Sequence, residues 1–171
     1  MEIPEPDEHA TASFRRFYAL LPRSADAALV ILKLHLLVEE QIRAFLAERV
    51  KAPALLKAAH LDCFQAICLA EALCEANIHP QVWEAAKKLN NLRNEVAHKL
   101  EPKGATERIV EICTLLGLQP NLAENTRPEG TQGVVDDLSF AVSVMYSEIS
   151  LYVRRKPAEV LRLVTSANTT L

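Results

Sequence analysis

The sequence predicts an all-α fold: one helical bundle of about five to seven helices around a long buried central helix. Three observations carry this prediction. Ala and Leu dominate a chain of 171 residues that is half apolar, with 5% aromatics and only four glycines, a composition suited to helices with one real core. Apolar residues recur at steps of three and four, the spacing of one helix face. Pro22, Pro53, Pro80, Pro102 and Pro157 punctuate the chain, and helices begin or stop at such positions.

The elements follow in order. Residues 1–10, acidic and proline-interrupted, are expected to form a disordered tail. Ser13 to Leu21 predicts a short helix with Phe14, Phe17, Tyr18 and Leu21 on one side. Ser24 is a candidate cap for the next helix, which reaches about Val50. It is apolar nearly all round through Val38, so it is expected to be the most buried element. Beyond Glu39, Ile42, Phe45, Leu46 and Val50 face inward, while His35, Glu39 and Arg43 line up at steps of four on the other side. Ala54 to Ala59 reads as a helical turn, and Asp62 to Ala76 as a helix with Phe64, Ile67, Cys68 and Leu73 inward. A helix from Pro80 must close by Glu101, and Thr106 caps another that runs to Leu116 and stops at Gly117. Leu118 to Gly133 is a long loop candidate. Val134 to Val153 is the cleanest amphipathic helix, with Leu138, Ala141, Val142, Met145, Ile149 and Tyr152 on its apolar face. A short helix after Pro157 ends in a frayed stretch, 166–171. One domain therefore spans 11–165.

Several function classes are set aside. A net charge of −3 argues against a strongly basic nucleic-acid surface and leaves room only for a local basic cleft. The longest near-apolar stretch, Ala25 to Val38, is interrupted by Asp26, Lys33 and His35, so no membrane span is expected. The N-terminal residues lack the apolar core of a signal peptide. Cys63, Cys68, Cys74 and Cys113 form no Cys-x-x-Cys pair and read as reduced thiols of a cytoplasmic protein. His60, Cys63, Cys74 and His79 fit no common zinc framework, so neither metal nor cofactor is expected.

One stretch stands out: Leu89-Asn90-Asn91-Leu92-Arg93-Asn94-Glu95-Val96-Ala97-His98-Lys99. Leu89, Leu92, Val96 and Leu100 make its buried face. Asn90, Asn91 and Asn94 are costly choices within a helix, at about 0.5 kcal/mol each relative to Ala. Lys87, Asn91, Asn94 and His98 form one polar line. Arg93 lies roughly 140° around the helix from His98. The two meet one ligand only if Arg93 reaches around, or if a second copy supplies the partner across a twofold axis.

Arg93-Asn94-Glu95-Val96-Ala97-His98 resembles the Arg, polar residue, short spacer, His motif of the HEPN superfamily (higher eukaryotes and prokaryotes nucleotide-binding). The surroundings are also similar, with a long apolar helix ending in Glu39-Glu40, then a second helix, then the motif helix. The resemblance spans residues 25–101. It implies an all-helical homodimer and, in many members, a metal-independent endoribonuclease of toxin–antitoxin, phage-defence or CRISPR-associated systems, with a cognate antitoxin as a possible partner. The layout also resembles the mannitol operon repressor family, which implies a non-catalytic regulator or adaptor acting through protein or nucleotide binding.

The residue types suit RNA cleavage by 2′-hydroxyl attack. His98 is the candidate general base or acid, since an ordinary imidazole titrates near pH 6.5. Arg93 would bind the phosphate through paired donors, and Asn94 would position the imidazole or the ribose. Glu39, Glu40, Asn90 and Asn91 are supporting candidates, and Lys87, Lys88 and Lys99 could hold RNA phosphates. The structural alternatives are a salt bridge from Arg93 to Glu39 or Glu40, solvated His98 and Asn94, and a solvated lysine face.

Overall fold

Helix α2 is long and apolar enough to organise the rest. The computed structural model describes residues 5–21, 26–74, 78–99, 104–119 and 132–154. Among these are seven helices and no strand: α1 (Glu8–Leu20), α2 (Ala27–Arg49), α3 (Pro53–Ala58), α4 (Cys63–Ala72), α5 (Pro80–His98), α6 (Ala105–Leu115) and α7 (Gln132–Tyr152). Helix α2 packs against α7, α5, α4 and α3, while α6 lies on α5 and α7, and α1 packs on α7. None of these helices is long and apolar enough to cross a membrane.

The predicted all-α bundle is therefore observed, with adjusted boundaries. Helix α1 starts at Glu8 rather than Ser13, because the Asp7 carboxylate accepts from the Ala10 N–H at 2.7 Å. Residues 8–10, expected in the tail, are helical. The buried side of α1 is Ala10, Ser13 and Phe17, whereas Phe14 and Tyr18 are exposed. Asp26 caps α2 through the N–H groups of Ala28 and Leu29; Ser24 lies outside the described residues. Asp62 is a cap rather than a helical residue, in a reciprocal capping box with Gln65. Helix α4 turns Ala66, Ile67 and Ala70 inward and leaves Phe64 exposed, since small side chains let it approach α2 and α5 closely. Thr106 sits inside α6, whose cap is Gly104 at φ 77°. Gly117, at φ 71°, ends α6 as expected. The N–H groups of Leu118 and Gly117 return to the carbonyls of Cys113 and Thr114, closing a Schellman motif. Most of the loop read at 118–133, and the helix after Pro157, fall outside the described residues.

The core runs through α2, α5 and α7. Trp83 packs edge-on against Phe45, with ring centroids 5.7 Å apart. A buried polar ladder crosses the same layer. Gln41 Nε2 donates to the Tyr146 hydroxyl at 2.8 Å, and that hydroxyl donates to the Ser13 carbonyl at 3.2 Å. Ser150 Oγ donates to Gln41 Oε1 at 3.3 Å. Each buried polar atom in the ladder thus has a partner, as the cost of burying it requires.

Arg49 closes the far end. Its guanidinium lies 3.4 Å from the Phe45 ring centroid and donates to the Tyr152 and Val153 carbonyls at 2.7 and 3.2 Å. It thereby satisfies end carbonyls of α7 and the helix dipole together. Arg49→Ala is expected to lower unfolding stability by about 2–3 kcal/mol, the loss of charged hydrogen bonds and ring stacking. Urea denaturation measures this directly, and a change under about 0.5 kcal/mol would show that the contact is dispensable.

Candidate functional site on helix α5

Helix α5 opens with Pro80 at its first position and is anchored there by Glu148, whose Oε1 accepts from the His79 N–H at 2.7 Å. Val82, Trp83, Ala85, Ala86, Leu89 and Leu92 bury its apolar side. It ends at His98, within the bound that Pro102 sets, because Lys99 is extended at φ −122°, ψ 129°. His98 is therefore the last helical residue, and it is exposed. Trp83 belongs to the core.

Arg93 Nη1 donates to Asn94 Oδ1 at 3.0 Å, which joins the guanidinium to a residue of the polar line. Asn94 lies one turn before His98 on that line. Both Arg93 and Asn94 are half-buried. The alternative bridge from Arg93 to the acids of α2 is not what those acids make. Glu39 pairs with Arg43 at 2.6 Å, and Glu40 pairs with Arg16 at 2.7 Å.

A groove of about 400 Å³ runs between α5 and α6, lined by Lys88, Asn91, Asn94, Glu95, Arg108 and Glu111. Three sequence candidates, Lys88, Asn91 and Asn94, thus share one depression with Arg108 and two acids. The cations are already matched. Lys88 pairs with Glu111 at 2.7 Å, holding that carboxyl below its usual range, and Arg108 pairs with Glu95. Lys99 reaches Glu95 at 3.9 Å. Lys87 sits between Glu71 and Glu84, at 2.8 and 2.6 Å. Its hydrogen bond to Glu71, then that to Glu84, raise its pKa above the ordinary lysine value. These partly exposed pairs are weak in water.

Asn90 belongs elsewhere. It is buried on the α2 side, where its Oδ1 lies 3.1 Å from His35 Nε2. His35 is 3% exposed and Glu39 half-buried, so the line of His35, Glu39 and Arg43 turns its first two residues toward the α4–α5 side and leaves Arg43 exposed. His35 Nδ1 is 3.8 Å from Glu39 Oε2, and Cys63 brings its thiol alongside. Burial, first, lowers the His35 pKa, opposed by the Asn90 bond and the Glu39 charge. Burial also pushes the Cys63 thiol up to about 12, with Glu39 adding and Arg43 and Arg93 opposing. Arg93 therefore stands electrostatically between this buried cluster and Asn94.

The four residues first weighed as a zinc set, His60, Cys63, Cys74 and His79, are not brought together: His79 pairs with Glu148, and His60 is exposed at φ 48°. The convergence of His35, Glu39 and Cys63 escaped the sequence reading, although the spacing of His35 and Glu39 at i, i+4 was a usable signal. What joins Cys63 to them is the packing of α4 on α2, which no local pattern reports. No protein-family model, curated protein or solved structure matches the chain.

Proposed function

We propose that the protein is a metal-independent endoribonuclease of HEPN type, with Arg93, Asn94 and His98 as its reacting strip. The observation that carries this reading is the Arg93–Asn94 bond at 3.0 Å, which sets a guanidinium beside the residue one turn before an exposed imidazole. In the reaction, the ribose 2′-oxygen loses its proton to a base and bonds to phosphorus. The bond from phosphorus to the 5′-oxygen breaks, and that oxygen receives a proton. The products are a 2′,3′-cyclic phosphate and a 5′-hydroxyl. His98 serves one proton transfer, and the guanidinium stabilises charge on the non-bridging oxygens. A homodimer supplies the second imidazole, so one acts as base while the other acts as acid. The cellular setting that suits such an activity is a cytoplasmic toxin or defence effector held by a cognate antitoxin. Large exposed apolar side chains lie on α1, α2, α3, α4 and α7 among the described residues, so a twofold contact through α5 would be polar.

A second reading rests on the charge pairing. Lys87, Lys88, Lys99 and Arg108 each face an acid, which suits a non-catalytic regulator or adaptor that holds a protein or nucleotide on the same strip. The test is incubation of folded protein, checked by circular dichroism, with mixed RNA in excess EDTA. Cleavage leaving 2′,3′-cyclic ends, reduced about 10²–10³-fold in Arg93→Ala, supports the nuclease. Intact RNA with the wild-type protein favours the regulator.

A further inference from the structure

We propose that His35, Glu39 and Cys63 form a binding site for a zinc ion at the junction of α2, α4 and α5. The ligand atoms of the three residues lie within 4.8 Å of one another. They come from three positions that the fold alone unites: two consecutive turns of α2 and the first residue of α4. Imidazole nitrogen, carboxylate oxygen and thiolate sulfur are the donor types zinc takes, and three protein ligands leave a fourth tetrahedral position for water. Contraction by about 1 Å brings such atoms to zinc-bonding distances of about 2.0–2.3 Å.

The decisive observation is the state of His35. Its side chain is 4% exposed, and its Nδ1 has no hydrogen-bond partner among the described residues. The other ring nitrogen meets Asn90 Oδ1 at 3.1 Å. A carbonyl oxygen accepts, so Nε2 carries the proton and Nδ1 presents a lone pair. That lone pair faces Glu39 Oε2 at 3.8 Å, too far for a hydrogen bond and unfavourable between two acceptors. A cation resolves the conflict. Asn90 then has the role of an outer partner that fixes the tautomer of a metal-bound histidine.

The neighbours are arranged to match. Arg43 donates to Glu39 Oε1 through Nε at 2.9 Å and Nη2 at 2.6 Å, anchoring the carboxylate while Oε2 turns to His35. Zinc with one thiolate and one carboxylate gives a neutral group, which suits a half-buried place. The Glu39 side chain is 21% exposed and provides an entry path. This site goes beyond the RNA-cleaving reading and does not rest on it.

The test titrates zinc into the chelator-treated, full-length protein, with cobalt as an optical probe. One zinc per chain is expected, raising the thermal midpoint by roughly 5–10 °C at about 100-fold excess over Kd. Cobalt should give a near-ultraviolet thiolate charge-transfer band. Cys63→Ser should abolish the band and weaken zinc binding by more than about 100-fold, and Cys68→Ser should leave both intact. Absence of the band and of the thermal shift in the wild-type protein overturns the proposal. So does a band that survives Cys63→Ser or vanishes in Cys68→Ser. None of these readouts involves RNA.

Discussion

RNA incubated with His98→Ala protein in excess EDTA is expected to be cleaved about 10²–10⁴-fold more slowly than with wild type, the usual contribution of a positioned acid or base. That corresponds to a barrier raised by roughly 3–5 kcal/mol. His98 is exposed at the last position of α5, so truncation removes no core packing, and the folded state should be unchanged within about 0.5 kcal/mol. The combination is diagnostic. Undiminished stability with lost cleavage assigns the imidazole to chemistry, whereas undiminished cleavage removes His98 from the mechanism. If each site is shared across a dimer, mixing His98→Ala with Arg93→Ala chains distinguishes the arrangements: a site that needs both imidazoles stays inactive, because the heterodimer carries a single His98. Sites that draw Arg93 and His98 from different subunits regain activity in the heterodimer, because one of its two sites is then intact.

The largest expected effect on stability comes from Trp83→Ala, at about 3–5 kcal/mol. Trp83 is 2% exposed, and its ring meets Phe45 edge-on where α5 crosses α2. On the far side, Arg49 lies over the same Phe45 ring. Removing the indole opens a cavity that neither helix can close without moving, because α2 is also packed against α7 and α4. The thermal midpoint should fall by roughly 6–20 °C for a chain of this size. Because α2 and α5 also carry His35 and Asn90, looser packing should weaken zinc retention as well. A midpoint within about 3 °C of wild type would mean that the core relaxes around the gap.

Much of the fold was legible from residue spacing. Phe45 and Leu46 in α2, Leu89 and Leu92 in α5, and Leu138, Ala141, Val142, Met145 and Ile149 in α7 are assigned to the core by period and are buried. Helix ends were less legible. Asp7 caps a helix that the pattern starts at Ser13, and Asp26 caps the helix for which Ser24 is the sequence candidate, because a cap is decided by one side-chain bond rather than by periodicity. Aromatic residues misled for a related reason. Phe14, Tyr18 and Phe64 have the right chemistry for a core but sit on helix sides left exposed among the described residues.

The polar strip on α5 shows the same division. Asn91, Asn94 and His98 were placed on one line by helix geometry alone, whereas Asn90, one residue away, is turned inward to His35. The sequence by itself determined the all-α class, the buried faces of the long helices and the strip that runs to His98, because these depend on period within one segment. Tertiary structure alone decided that Lys87 meets Glu71, that Lys88 meets Glu111, that Arg108 meets Glu95, and that Cys63 comes to His35 and Glu39. Those outcomes depend on how one helix lies against another, and side-chain spacing along a single helix holds no record of that angle.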